Sequence, residues 1–129
     1  MGIINKIFGG SKPVKEKKIL PWIPLNDLQQ IPHIKEKSKT KTQIIFKHST
    51  RCGISRMVMN QFIERYEFTE KDADLYYLDL LSYPDVSREV GIEFMVMHES
   101  PQLLVLRNGN VVAHASHGAV NSIPLEQYA

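Results

Sequence analysis

Short apolar runs recur along the chain, and their spacing predicts strands that alternate with helices. Gln43–Lys47 is a β-branched apolar run typical of a strand, and Leu75–Leu81 is apolar on both faces, as a central strand is. Between them, Cys52–Tyr66 repeats apolar residues at a spacing of four, starting from Ile54, which predicts an amphipathic helix. Because such crossovers are right-handed, the two strands are expected to be parallel.

A further helix is predicted after Leu75–Leu81, with Ser82 as a candidate N-cap. Its buried stripe would consist of Val86, Val90 and Phe94, which again lie four residues apart. Gly91 weakens this helix by about 1 kcal/mol without forbidding it.

The Asn108-Gly109 dipeptide separates two apolar runs near the C-terminus and is the strongest short signal for a β-hairpin. Gln102–Arg107 and Val111–Ala115 are therefore predicted to be antiparallel strands, and a short final helix is expected to begin near Ser122. The predicted fold class is α/β, with a mixed four-stranded sheet flanked by helices.

The N-terminal part of the chain divides into an arm and the start of a domain. Residues 1–19 are predicted to be a flexible basic arm, because their Gly- and Lys-rich sequence shows no core pattern. Residues 20–129 are predicted to form one domain, whose first helix would be capped by Asn26 or Asp27 and run towards Ser38. A chain of 129 residues is long enough for one domain and too short for two.

Charge and hydropathy argue against two classes of partner. The net charge is only +2, so the chain lacks the strong basic face of a nucleic-acid-binding protein. No apolar stretch approaches the roughly 20 residues of a membrane span, and the short apolar run at the N-terminus does not resemble a signal peptide. We therefore expect a cytoplasmic monomer that binds neither nucleic acid nor membranes.

The chain contains one cysteine, Cys52, so no disulfide and no cysteine-rich zinc site can form within it, and we expect no bound metal. A single cysteine is usually inert packing, but Cys52 lies at the predicted start of a helix. The unpaired N–H groups of a helix start stabilise a nearby anion, by about 1–2 kcal/mol in a partly buried site. Because the thiolate is the attacking species in disulfide exchange, Cys52 is a candidate catalytic nucleophile.

Ser55 follows Cys52 by three residues and is a candidate catalytic residue, because this position holds the resolving thiol in two-cysteine redox enzymes. A hydroxyl cannot resolve a disulfide, but it can donate a hydrogen bond to the Cys52 thiolate; an ordinary first-turn serine that satisfies backbone groups is an equal alternative. Gly53 would let a partner chain approach the sulfur, or is simply a weak helix start. The Cys-Gly-Ile-Ser run thus predicts a reaction that stops at a mixed disulfide and needs a second thiol from solution.

Other polar residues flank Cys52 in the predicted loops. Thr50 and Arg51 are candidate substrate-binding residues, although Arg51 could equally point into solvent. His48 and His98 are candidate modulators of the pKa of the thiol, and either could equally be a structural hydrogen-bonding residue.

Ser100-Pro101 comes just before the first strand of the hairpin and is a second candidate substrate-binding element. A cis proline at this point would interrupt the strand ladder and present backbone groups to an extended peptide. Only about one X–Pro bond in twenty is cis, so the expectation depends on the fold context.

These features together resemble the thioredoxin superfamily and, more specifically, the YtxJ-type monothiol bacilliredoxins. The resemblance is carried by Phe46–Cys52 with Ile54–Ser55, by His98–Gln102, and by the Trp22–Leu25 entry, and it extends to the C-terminus. Gly53 departs from the family, which often has proline there.

The resemblance implies a thioredoxin-like fold and a thiol–disulfide oxidoreductase that removes bacillithiol from protein mixed disulfides. Bacillithiol, a low-molecular-weight thiol, would be the co-substrate, with no bound cofactor, and S-thiolated client proteins would be the partners. The sequence shows no evident charge pattern for the malate, glucosamine and cysteine parts of bacillithiol.

Two other functions remain open at this point. The Cys52–Ser55 run is also similar to the Cys-Gly-Phe-Ser signature of monothiol glutaredoxins that carry a [2Fe–2S] cluster, but Ala115–Gly118 replaces their Gly-Gly-Cys-Asp run. The domain could also be a non-catalytic interaction module, because a fold alone does not determine function.

Overall fold

The computed structural model describes residues 18–129, so most of the predicted basic arm lies outside the described residues. The strands are β1 (Trp22–Pro24), β2 (Thr42–His48), β3 (Ala73–Asp79), β4 (Gln102–Arg107) and β5 (Asn110–Ser116). The helices are α1 (Gln30–Lys37), α2 (Gly53–Arg65), α3 (Pro84–Phe94) and two 3₁₀ helices, His117–Ser122 and Leu125–Tyr128. No helix within residues 18–129 is both long and apolar enough to cross a membrane.

The strands form one five-stranded mixed sheet in the order β1-β3-β2-β4-β5. β3 pairs in parallel with both β1 and β2, and β4 pairs antiparallel with β2 and β5. The predicted parallel pair and the predicted hairpin are therefore confirmed. The carboxyl ends of β2 and β3 meet the start of β4 at one edge of the sheet, and α2 begins just beyond that edge.

The sheet has one strand more than predicted, because Trp22–Pro24 pairs with β3. A run of only three residues is too short to show a strand period, so its pairing depends on tertiary contacts. The Trp22 ring supplies such contacts: its centroid lies 6.0 Å from that of Phe46 and 6.2 Å from that of Phe62.

Alternation along β2 divides the core into two layers. Ile44 and Phe46 are buried with α2 on one face, whereas Ile45 is buried with α1 and α3 on the other face. The same alternation sends the last two side chains of the strand to opposite faces: His48 lies on the α2 face and Lys47 on the α3 face. Both side chains are buried.

The start of α1 differs from the prediction. Neither Asn26 nor Asp27 caps the helix, which begins at Gln30 and ends, as predicted, next to Ser38. Instead, the Gln30 side-chain oxygen accepts hydrogen bonds from the backbone N–H groups of Asn26 and Asp27, at 2.8 and 2.9 Å. A side chain inside the helix therefore stabilises the preceding turn.

The predicted cap of α3 is also wrong. The Asp79 carboxylate accepts hydrogen bonds from the Leu81 N–H and the Ser82 hydroxyl, at 3.1 and 2.9 Å, so the strand ends at Asp79 and a turn follows. Tyr83 then occupies the N-cap position without a side-chain cap, and Pro84 is the first helical residue. Proline suits that position because it has no N–H to leave unpaired.

The hairpin turn has the predicted geometry. Asn108 and Gly109 have φ values of 56° and 80°, the left-handed conformations that a two-residue hairpin turn requires. The predicted final helix is replaced by the two 3₁₀ helices, and Ser122 ends the first of them rather than starting a helix.

Close packing explains why α3 has a glycine at position 91. A Cβ atom at this position would lie 2.9 Å from the Val96 carbonyl oxygen, which is closer than real Cβ contacts. The same approach brings the Val96 N–H to the Gly91 carbonyl at 3.0 Å. Gly91 therefore allows the segment after α3 to fold back against the helix on its way to β4.

Lys47 is a fully buried lysine, with 0% of its surface exposed. Its Nζ donates a hydrogen bond to the Ser87 carbonyl at 3.1 Å and lies 3.4 Å from His98 Nδ1. Burial lowers the pKa of Lys47 from 10.5 to about 8. At pH 7 the native state therefore holds a buried positive charge, at a cost in stability.

Replacing Lys47 with methionine is expected to raise the free energy of unfolding at pH 7 by about 1–3 kcal/mol, because an apolar side chain of similar length removes the buried charge. Between pH 8 and pH 10 the unfolded state of the native sequence holds this proton while the folded state releases it, so the native protein gains stability as pH rises. The advantage of Lys47→Met should therefore shrink over that range in urea titrations. Exposed Lys71→Met is the control; equal pH profiles for both variants would contradict the prediction.

Candidate active site

Cys52 lies at the N-cap of α2, as predicted, with an extended backbone conformation and a half-buried side chain. Its N–H donates to the Ser49 carbonyl at 3.2 Å, and its own carbonyl accepts from the Arg56 N–H at 3.1 Å. The thiol therefore sits at the positive end of a helix of 13 residues and is partly accessible.

Ser55 is buried one turn into α2, but its hydroxyl does not make the predicted hydrogen bond to the Cys52 sulfur. It lies 2.7 Å from His48 Nδ1 and accepts a hydrogen bond from the Ser49 N–H at 3.1 Å. With Nδ1 as the acceptor, the single proton of the hydroxyl is committed to His48. Ser55 thus fastens the first turn of α2 to the end of β2.

His48 is buried on the α2 face, and this burial is the main reason that its pKa is lowered. Arg56 also lowers the pKa of His48, whereas Asp79 raises it. A histidine whose pKa is lowered below 6.5 is mostly neutral at pH 7, so His48 carries little positive charge at that pH. Its observed role is the hydrogen bond to Ser55.

Arg56 is a site residue that the sequence analysis missed. Its Nη1 donates to the Thr50 carbonyl at 3.4 Å, and its Nη2 would lie 3.8 Å from a Cβ at Gly53. The guanidinium group therefore folds back over the loop that carries Cys52. Its position four residues after Cys52, on the same helix face, was a usable signal.

The three loop residues predicted to bind substrate, Thr50, Arg51 and Gly53, are all exposed around Cys52. Neither Arg51 nor Arg56 forms a salt bridge with another described residue.

Ile54, predicted to belong to the buried stripe of α2, is instead 59% exposed, whereas the neighbouring Ser55 is buried. Met57 is exposed beside it. These two residues form an apolar surface on the turn of α2 that carries Cys52.

Pro101 is buried at the start of β4, and the Ser100–Pro101 peptide bond is cis, as expected. Lys47 is paired with Gln102 in the sheet, so extending this register by one residue places Pro101 opposite His48. The Ser100 hydroxyl oxygen is buried and has no hydrogen-bond partner among residues 18–129. The structure therefore brings Ser100 and Pro101 to the edge of the sheet from which α2 begins.

His98 makes its observed contacts on the other face of the sheet. Its Nδ1 lies 3.3 Å from the Ser87 hydroxyl and 3.4 Å from Lys47 Nζ. Burial first, and the Lys47 charge second, lower the pKa of His98, whereas Glu99 raises it. The predicted influence of His98 on the thiol is thus not a direct contact; its connection to the site runs through the segment that leads to Pro101.

Within the described residues, no group of three or more His, Cys, Asp or Glu side chains is arranged to hold a metal ion. The chemistry that these residues support is nucleophilic attack by the Cys52 sulfur at a helix start, beside a proline-containing strand edge.

Comparison with known proteins identifies the family. The family model for monothiol bacilliredoxin BrxC matches residues 23–125. A solved structure whose description names a thioredoxin fold and proposes an oxidoreductase is 33% identical, with a TM-score of 0.69, over 83% of this chain and 92% of that one.

Two thioredoxins share the fold at lower identity. One, from Malassezia sympodialis (Mala s 13), is 16% identical with a TM-score of 0.64, over 81% of this chain and 88% of that one. The other, a reduced Schistosoma mansoni thioredoxin pre-protein, is 17% identical with a TM-score of 0.64, over 84% and 98%. With its family match, thioredoxin fold and single cysteine at a helix start, this chain belongs to the monothiol bacilliredoxin family and is a thiol–disulfide oxidoreductase.

Proposed function

We propose that this protein removes bacillithiol from protein mixed disulfides, with Cys52 as the attacking group. The observation that carries the proposal is the placement of the single cysteine: half-buried, at the N-cap of α2, within a chain that matches the bacilliredoxin family. The partial exposure at the helix start lets a disulfide reach the sulfur.

The reaction has two exchange steps. In the first, the Cys52 thiolate attacks the bacillithiol sulfur of a client mixed disulfide; a Cys52–bacillithiol bond forms, the client–bacillithiol bond breaks, and the client thiolate takes a proton from water. In the second, the thiolate of a free bacillithiol attacks the bacillithiol sulfur on Cys52, which restores the Cys52 thiolate and releases bacillithiol disulfide. Over the two steps, one client mixed disulfide and one free bacillithiol give one client thiol and one bacillithiol disulfide, so one disulfide bond is exchanged for another.

Ser55 supports the monothiol sequence of steps. It occupies the position three residues after the nucleophile, is completely buried, and has its hydroxyl paired with His48. No second thiol of the chain can therefore displace bacillithiol from Cys52, and the adduct waits for a thiol from solution.

The surroundings of Cys52 offer contacts to both substrates. Arg51 and Arg56 carry positive charges that match the carboxylates of the malate group of bacillithiol, and neither is neutralised by a described acidic residue. The exposed side chains of Ile54 and Met57 offer an apolar surface to a client protein.

Transfer to Cys52 is tested with a peptide that carries one bacillithiol mixed disulfide. We expect mass spectrometry to show one bacillithiol on Cys52 and a free peptide thiol, and Cys52→Ser to abolish both. Matched peptides with glutathione or coenzyme A in place of bacillithiol test the identity of the thiol. Faster transfer from either of these peptides would contradict the assignment of bacillithiol. Release of the peptide thiol by the Cys52→Ser variant at the native rate would show that Cys52 is not the nucleophile.

In the Ser55→Cys variant, the mixed disulfide between Cys52 and bacillithiol is expected to be resolved by the new thiol of the same chain. The introduced thiol lies one helical turn from Cys52, so it should displace bacillithiol and form an intramolecular disulfide with Cys52. Intact mass should then show the loss of two hydrogens in place of the adduct. Exposed Ser82→Cys is the matched control, and an adduct that persists in Ser55→Cys as it does in Ser82→Cys would contradict the geometry.

Arg56→Gln tests the proposed recognition of carboxylates. We expect the rate constant for release of the Cys52 adduct by bacillithiol to fall about two- to fivefold, the effect of losing an exposed charge interaction of up to about 1 kcal/mol. Release by 2-mercaptoethanol, which has no carboxylate, should be unchanged, and distant Arg107→Gln should affect neither thiol. An equal decrease for both thiols would show that Arg56 acts on the Cys52 sulfur instead of on the substrate.

A further inference from the structure

The segment between α3 and β4 delivers Ser100 and Pro101 to the site, yet much of it has little packing of its own. Met95 is 90% exposed and Met97 is 83% exposed. Three backbone groups of the segment are tied down: the Met95 N–H donates to the Ile92 carbonyl at 3.4 Å, the Val96 N–H donates to the Gly91 carbonyl at 3.0 Å, and the Met97 carbonyl accepts from the Gln102 side chain at 2.9 Å. The other observed attachments before Ser100 are the buried side chain of Val96 and the ring of His98.

The groups that hold His98 lie below the segment, on the α3 face of the sheet. Lys47 Nζ, completely buried, lies 3.4 Å from His98 Nδ1 and 3.1 Å from the Ser87 carbonyl that it also contacts. Lys47 and Gln102 are opposite each other in neighbouring strands, so both side chains lie on the α3 face below the segment. Lys47 is thus the group that connects the central strand to α3 and to His98 at once.

The neighbouring residue makes the corresponding connection on the other face. His48 bonds Ser55 of α2 at 2.7 Å, and α2 carries the nucleophile. Successive residues at the end of one strand therefore hold the two halves of the site: His48 holds the turn that follows Cys52, and Lys47 holds the segment that precedes Pro101.

We propose that Lys47 is a positioning residue for exchange with protein substrates: acting through His98 from the far face of the sheet, it fixes Ser100 and Pro101 relative to Cys52. This inference rests on the proposed function, in which a client chain lies beside Cys52. Lys47 does not touch the reacting sulfur. Its contribution is to hold the strand edge where an extended client would meet the nucleophile.

The chemistry of the pair fits such a holding role. A neutral His98 can accept at Nδ1 from the Lys47 ammonium group, and the lowered pKa of His98 favours the neutral ring. Because burying a charge destabilises the fold unless it is well paired, an apolar residue would serve the core better than Lys47 does. The lysine is thus explained by the segment that it holds, not by the stability of the core.

Lys47→Met separates positioning from stability. We expect kcat/KM for an extended peptide carrying one bacillithiol mixed disulfide to fall about five- to tenfold, since small displacements of a substrate-positioning element lower rates strongly. The alkylation rate of Cys52 by iodoacetamide, which needs no client contact, should stay unchanged. Amide hydrogen exchange over residues 96–100 should accelerate about tenfold while exchange in α2 does not.

Variants of His98 test whether Lys47 acts through this residue. His98→Leu should lower peptide exchange at least as much as Lys47→Met, because it removes the Ser87 contact together with the Lys47 contact, and adding Lys47→Met to His98→Leu should cost nothing further. His98→Asn, whose amide oxygen can replace Nδ1 as the acceptor, should retain most of the peptide activity. Exposed Lys71→Met is the control for loss of a lysine.

An unchanged kcat/KM in Lys47→Met would overturn the proposal, and so would an equal loss in peptide exchange and iodoacetamide alkylation, which would place the effect on Cys52 itself. Additive losses in the double variant would also overturn it. A native protein that fails to accept bacillithiol from the peptide would refute the proposed function instead; the hydrogen-exchange comparison would still decide whether Lys47 holds the segment.

Discussion

The arrangement of this site depends on how the central strand β2 ends. The side chains of a strand alternate between its faces, so Lys47 and His48 leave the same short stretch of backbone in opposite directions. One is buried against α3 and the segment that precedes Pro101, and the other is buried against α2. A shift of one residue in the register of β2 would exchange the two side chains and detach both halves of the site together.

This constraint explains why two buried polar side chains follow each other at the carboxyl end of β2. The buried side chains in the middle of β2 are apolar, whereas Thr42 and Gln43 at its start and Lys47 and His48 at its carboxyl end are buried and polar. At the carboxyl end each polar side chain has a partner: Ser55 for His48, and Ser87 with His98 for Lys47. Unpaired buried polar groups are costly, so each of these contacts also specifies a position. The fold accepts a less stable core at the edge where its chemistry takes place.

Local sequence signals were sufficient for the elements that bear the nucleophile. A β-branched run followed by a helical stripe placed Cys52 at a helix start, and Asn108-Gly109 identified the hairpin. The signals failed where the outcome depends on contacts between distant segments. β1 is too short to show a period, and the partner of Ser55 became visible only when β2 and α2 were packed together. Lys47 looked like an ordinary polar residue within an apolar strand, because burial by α3 leaves no trace in its neighbours along the chain.

The pairing of Ser55 with His48 also changes the physical meaning of the monothiol motif. From the sequence, a hydroxyl three residues after the cysteine suggested direct stabilisation of the thiolate. In the structure that hydroxyl is bonded to His48 and fastens the first turn of α2 to the end of β2, so what remains beside Cys52 is the helix start itself. A chain with one cysteine also has no thiol of its own to release an adduct from Cys52. Under the proposed function, turnover therefore depends on an external thiol, which would couple the release of client proteins to the supply of that thiol.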